Sequence, residues 1–282
     1  MQTTEKPKGL AKIWREIKRP FRQLRQCVRQ FVRDMVGYQD LSKEIHSFRS
    51  EFHKDLTGLI QRSISTAILH QKTFSRFKNI HQGQEIVLVA TGPTAKDYMR
   101  IDNAIHIGVN RAFQIENIDL HYLFMQDYNV KYYIKEANRY QPDSCSKFYG
   151  MIEKWNIIIP DNDVIEANAL RYRTDIDFIR QHFDECRFRC SIDSEPLGDF
   201  GSVVFSAMQF ALWTNPRTIY LVGCDCSKGY FDGQTSDGSA SHLVSHWFQL
   251  KEFARLYYPE TEIISIHPVG LKGIFTEKKE AS

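Results

Sequence analysis

Apolar positions along the first eighty residues recur every three or four places. Leu10, Ile13, Trp14, Ile17, Phe21, Leu24, Val28, Phe31 and Met35 make one such series, and Leu41, Ile45, Phe48, Phe52, Leu56 and Leu59 continue it. That is the helical period, so the spacing predicts an amphipathic helix. Pro20 is expected to kink or restart it, Gly37 to stop it, and a second helix to begin near Leu41. After Gly83 the texture changes to short apolar runs rich in β-branched residues: EIVLVA at Glu85–Ala90, AIHIGV at Ala104–Val109, DLHYLFM at Asp119–Met125, TIYLV at Thr218–Val222 and EIISI at Glu262–Ile266. Runs of this length and composition read as buried strands. Helical patterns at Ser202–Trp213 and about Ser241–Tyr257 lie between the later ones.

Strands alternating with helices predict an α/β domain, a Rossmann-like, mostly parallel sheet with helices on both faces. The expected division is a helical extension over residues 1–80 and an α/β domain over 81–282. A less regular stretch, about 131–199, is expected as a small helical or lid-like insertion. Its Arg171 and Arg173 read as solvated charge.

Charge sharpens this division. The whole chain carries +3, yet residues 1–36 hold ten Lys/Arg against three Asp/Glu, leaving −4 on the remaining 246. A basic helix with Trp and Phe on its apolar face suits an anionic membrane surface over residues 8–36; equally, it suits packing on itself or on a second subunit as a homo-oligomer. No nucleic-acid reader motif is present. No run of 18 apolar residues and no signal-peptide core occurs, so the expected location is cytoplasmic, with the arm able to hold the protein peripherally on the inner membrane face. Cys224 and Cys226, and Cys186 and Cys190, lack CxxC spacing and a suitably placed His, so they are expected as small buried side chains, with no metal site.

Four pieces could carry chemistry. Thr91-Gly92-Pro93-Thr94 follows the first strand, where ligands of open α/β sheets bind and where Gly lets a phosphate approach backbone N–H groups; an ordinary strand-to-helix turn explains it as well. Gly201-Ser202 opens a helix, as an anion site or as a plain N-cap. Gly223-Cys224-Asp225 ends the TIYLV strand; Asp225 either accepts from a ribose or sugar hydroxyl or orients a loop. Tyr230 follows in a Gly-rich segment and could donate to a leaving phosphate. Finally, His242 and His246 stand four apart, which on a helix is one face, and an imidazole is a general base at neutral pH.

In this order the pieces resemble the bacterial lipo-oligosaccharide sialyltransferases of glycosyltransferase family 42. The family's Gly-Asn-Gly-Pro-Ser turn looks like Ala90-Thr91-Gly92-Pro93-Thr94. Asn110 and Gln126 match polar residues that meet the nucleotide after its second and third strands. Gly201-Ser202 stands where the family has Ser-Gly, and Val222-Gly223-Cys224-Asp225 where it has Ser-Gly-Ile-Asp. Tyr230 looks like the phosphate-binding tyrosine. Ser241 to His246 repeats a Ser-His-x-x-x-His whose second His is the base, and Ile266-His267-Pro268-Val269-Gly270 resembles the family's final strand and turn. The resemblance spans about Glu85 to Phe275. It implies transfer of a sugar, a sialic acid or related nonulosonate, from a CMP-activated donor to a hydroxyl of a cell-surface glycan or lipid-linked acceptor, as in lipopolysaccharide biosynthesis, with His246 as base, no metal and no cofactor beyond the donor itself. Thr91 in place of Asn and the reversed Gly201-Ser202 depart from the pattern at donor-facing positions. The archaeal 6-hydroxymethylpterin diphosphokinase-like proteins share the Gly-Pro-Ser turn and the Gly-x-Asp strand end. They imply a Mg²⁺-dependent diphosphate transfer, with Asp225 and Asp127 as the carboxylates. A non-enzymatic assembly protein is the third reading.

Overall fold

The computed structural model describes residues 8–126, 132–140, 145–178, 187–235 and 240–278; in the first helix, side chains are described for residues 22–37 and from 40 onward. The chain divides into two compact units, Met1–Ile60 and Gln61–Ser282. The first unit is helical throughout its described length, part of a single helix α1 that runs Lys8–Phe74. The helix neither restarts at Pro20 nor stops at Gly37. Both are poor helix residues, worth about 3 and 1 kcal/mol against Ala, but the apolar period continues on each side of them and the helix follows it. Within residues 22–60 the stripe is solvent-exposed, from Leu24 through Phe31, Ile45, Phe48 and Phe52 to Ile60. No helix among the described residues is long and apolar enough to cross a membrane.

The second unit begins at Gln61 rather than near residue 81, because the last turns of α1 already belong to its core: Thr66, His70, Thr73 and Phe74 are buried. The His70 ring is held at both nitrogens. Nδ1–H donates to the Ile192 carbonyl (2.8 Å), and Nε2 accepts from the Arg173 backbone N–H (2.8 Å).

Eight strands form one sheet: β1 Glu85–Val89, β2 Ile105–Val109, β3 Tyr122–Met125, β4 Ser146–Met151, β5 Leu170–Arg173, β6 Thr218–Val222, β7 Glu262–Ile266 and β8 Thr276–Lys278. The order is β5-β4-β3-β2-β1-β6-β7-β8, and every pairing is parallel. The expected α/β parallel architecture is thus present. Successive residues of a strand face opposite sides, and β1 divides accordingly. Ile86 and Leu88 join one core with Phe74, Phe77, α4 (Val203–Trp213) and α5 (Val244–Tyr257); Val87 and Val89 join the other with Leu123, Met125 and Tyr149. The second face is covered by two short helices, α2 (Ile134–Arg139) and α3 (Asp161–Glu166), which contribute Ile134, Ala137 and Val164. All eleven residues of α4 are buried, as a helix apolar on every side requires; its two polar residues, Ser206 and Gln209, are buried with the rest, and Gln209 donates to the Gly198 and Phe205 carbonyls (3.0 and 2.9 Å).

The stretch 131–199, expected as a helical or lid-like insertion, supplies β4 and β5 to the sheet. Both are short and carry cations that read as surface. Lys147 is nonetheless buried, its Nζ donating to the Asn138 carbonyl (2.8 Å). Arg171 donates to the Ile159 carbonyl (2.6 Å).

Candidate functional site

The strand order reverses direction at β1: its first-formed neighbours β2 and β3 lie on one side, β6 and β7 on the other. In an open parallel sheet such a switch point leaves a crevice beyond the carboxyl ends of the strands. Here that crevice is a cavity of about 770 Å³, of the size that holds a small ligand.

Its floor is set by a clasp between the ends of β1 and β6. The Ala90 N–H donates to the Val222 carbonyl (2.8 Å) and the Gly92 N–H to the Gly223 carbonyl (2.9 Å). Asp225, 3% exposed, accepts from the Thr94 backbone N–H at 2.8 Å and from its hydroxyl at 2.5 Å. A Cβ on Gly92 would collide with the Asp225 carboxylate and the Gly223 carbonyl. Glycine is therefore required by close approach, its φ of −68° being ordinary. Gly223, at φ +65°, needs glycine for its backbone as well. Of the two roles open to Asp225, orienting the loop is the one its contacts express. Pro93 starts the short 3₁₀ turn Pro93–Asp97, which places Thr94 over Asp225.

Asn110 and Gln126 come together on the far side. Asn110, at φ +46°, follows β2, and its Oδ1 accepts from the Gln126 backbone N–H (3.1 Å). The Gln126 side chain crosses β4 at Gly150, where any Cβ would strike it. It accepts from the Tyr172 hydroxyl (2.8 Å) and donates to Asp199 (2.5 Å). Asp199 is a site residue that sequence reasoning missed. Only 1% exposed, it lines the cavity, accepts from the Gly201 N–H (2.8 Å), and its own N–H donates to Asp175 (3.2 Å). Burial pushes its carboxyl up to about 6, against the pull of the hydrogen bond from Gly201. The one sequence signal was its place two residues before Gly201, where an Asp side chain caps the turn. Ser202 stands at the N-cap of α4 without a side-chain cap bond and lines the cavity with Gly201.

Thr91, Gly92, Asn110, Gln126, Gly201, Ser202, Gly223, Asp225, Tyr230 and His242 all line the cavity. Pro93 and Thr94 shape its wall from behind. His246, expected as the base, does not line it. Its ring is buried, 5.0 Å from Phe200 and 6.1 Å from Phe205 between centroids. The reason is local: residues 240–243 form a 3₁₀ turn and α5 starts only at Val244, so the two histidines do not share one α-helical face. Trp247 lines the cavity in its place.

Cys224 and Cys226 line the cavity as protonated thiols, burial raising the first well above its usual range and the second to about 11. Among the described residues no group of three or more His, Cys, Asp or Glu stands together to hold a metal. Cys186 and Asp127 lie outside the described residues.

No protein-family model and no curated protein sequence matches this chain. Among solved structures it is similar to glycosyltransferases. One is the MAf glycosyltransferase from Magnetospirillum magneticum AMB-1, with TM-score 0.46 and 15% identity, covering 76% of this chain and 38% of that one. The sialyltransferase CstII from Campylobacter jejuni is another. In complex with cytidine-5'-monophosphate it gives TM-score 0.38 and 13% identity, covering 65% of this chain and 80% of that one. In complex with CMP-3FNeuAc it gives 0.37 and 14%, covering 69% and 84%.

Proposed function

We propose that this chain is a glycosyltransferase that takes a sugar from a nucleotide-activated donor bound in the cavity, with a CMP-linked sialic acid or related nonulosonate as the donor. The observation that carries the reading is the convergence, at the switch point of a parallel sheet, of the glycine-walled bend at Gly92 with Asn110, Gln126 and Ser202 around one cavity. Backbone N–H groups at the start of α4 and the Tyr230 hydroxyl would meet the leaving phosphate as its charge develops. Asn110 and Gln126 supply polar atoms for the base and ribose. The acceptor, a hydroxyl of a glycan or glycolipid, would be deprotonated by His242, the histidine of the pair that lines the cavity. General-base assistance of this kind is worth about 10² to 10⁴ in rate. A monophosphate leaving group needs no metal.

The test is a thermal-shift and calorimetric screen of the full chain against cytidine, uridine, guanosine and adenosine nucleotides, followed by CMP release from CMP-sialic acid. Preferential binding of CMP with release of CMP from the donor is expected. Absence of any nucleotide binding at millimolar concentration would overturn the reading.

A further inference from the structure

A positive charge strengthens a site that receives a phosphate, and among the described residues lining this cavity there is a single Lys or Arg: Arg111. It sits one residue past Asn110 at the carboxyl end of β2, in the 3₁₀ turn Asn110–Gln114. Its guanidinium is already occupied. Nη1 lies 2.7 Å from the Asp232 carboxylate, with side chains only 17% and 25% exposed. The same guanidinium lies 4.9 Å from the Tyr230 ring centroid and 5.9 Å from that of Phe231. Asp232 is held in turn by the Gln234 backbone N–H (3.1 Å). The loop is tied down by the Phe231 N–H donating to the Thr91 carbonyl (3.1 Å) and by the Tyr230 N–H donating to the Gln234 carbonyl (2.9 Å). The loop that carries Tyr230 is thus held over the Gly92 bend by a backbone hydrogen bond to Thr91 and by one ion pair at the cavity wall.

We propose that Arg111 is the anion-binding residue of this site, taking the phosphate of the bound nucleotide, and that Asp232 fills that place until the nucleotide displaces it. The inference rests on the nucleotide-donor reading above and adds to it the residue that recognises the phosphate and the internal carboxylate that competes for it. An Arg fork presents paired N–H donors that fit phosphate oxygens as well as carboxylate oxygens, so the two acceptors are interchangeable in geometry. Nucleotide binding exchanges one anion for another rather than burying a new charge. The Tyr230 ring gives the guanidinium a second, cation–π contact beside the ion pair.

Calorimetric titration of the full chain with CMP and with cytidine separates this role from a structural one. Arg111→Gln is expected to weaken CMP by about tenfold to a hundredfold, the range for a hydrogen bond to a charged group, while cytidine affinity holds. Asp232→Asn is expected to tighten CMP severalfold with cytidine again unchanged, and Arg111→Lys to fall between wild type and Gln. Equal weakening of cytidine and CMP by Arg111→Gln, or unaltered CMP affinity in it, overturns the assignment. So does Asp232→Asn binding CMP no better than wild type while its melting temperature is preserved. Cytidine binding without any gain from the phosphate rejects Arg111 alone, whereas wild-type protein that binds neither compound rejects the nucleotide reading itself.

Discussion

Acidification should loosen the α/β unit through His70. The ring is fully buried and both nitrogens are committed, Nδ1–H to Ile192 and Nε2 to the Arg173 N–H. Protonating Nε2 would set an N–H against an N–H. Burial accordingly lowers its pKa from 6.5 to about 4, with the nearby Arg173 charge acting in the same direction and the Ile192 carbonyl against it. The unfolded chain binds this proton below pH 6.5 and the folded one only below about 4. The stability tied to the neutral ring is therefore complete above 6.5 and is lost as pH falls between those values. At 1.36 kcal/mol per pKa unit, that loss is about 3 kcal/mol, a large fraction of the 5–15 kcal/mol typical of a domain. Urea unfolding followed by tryptophan fluorescence, at pH 7 and pH 4, measures it in wild type and in His70→Asn, whose amide can still donate to Ile192 but does not titrate. The wild-type advantage over the variant should shrink by about 3 kcal/mol on going to pH 4. His106, also lowered to about 4 by burial, loads both proteins equally and cancels. A difference between the two proteins that is the same at both pH values would refute the account.

Three further outcomes are expected. Gly92→Ala should cost about 1–3 kcal/mol, the range for overpacking against groups that cannot retreat, and weaken nucleotide binding, read by thermal melting and calorimetry; an unperturbed melt would mean that the Asp225 clasp gives way. His242→Ala should slow sugar transfer by about 10² to 10⁴ with CMP affinity retained, whereas His246→Ala should act by lowering the melting temperature through the gap left beside Phe200; the reverse pattern returns the base to His246. Asp199, raised from 3.8 to about 6, binds its proton more tightly when folded, so wild type gains about 2 kcal/mol between pH 6 and pH 4 that Asp199→Asn cannot; a stability gap between the two that stays constant with pH would exclude a buried, titrating carboxyl.

The five strands with short runs rich in apolar and β-branched residues were legible in the sequence because strands buried largely on both faces carry little polar alternation to obscure them. β4 and β5 were not. Lys147, Arg171 and Arg173 look solvent-bound in one dimension, and partners brought in by the fold make their positions tenable: the Asn138 carbonyl for Lys147, the Ile159 carbonyl and Asp161 for Arg171, and Glu153 for Arg173. Thr91, Gly92, Gly201, Ser202, Gly223 and Asp225, which line the cavity, were legible from turn chemistry at strand and helix ends, a local property, whereas Asn110 and Gln126 came from the family resemblance and lining residues such as Arg111, Trp155 and Trp247 carried no local signal. What failed was angular. Four residues' separation placed His242 and His246 together only on the assumption of α-helix, and the 3₁₀ turn at Ala240–Leu243 undoes it. Asp199 escaped notice because its character comes from burial and from Gln126, a residue 73 positions away.

The bond between Thr94 and Asp225 joins points 131 residues apart in the chain. During synthesis the bend after the first strand therefore waits, without its carboxylate partner, while β2 to β5 are made and can align on one side of β1. Only when β6 emerges and seats against the other edge does the binding crevice acquire its floor. A nascent chain stopped short of Asp225 would hold most of a sheet and no floor to the cavity, so the cavity is among the last features this polypeptide completes, and a rise in protease resistance on adding the proposed nucleotide would report when it does.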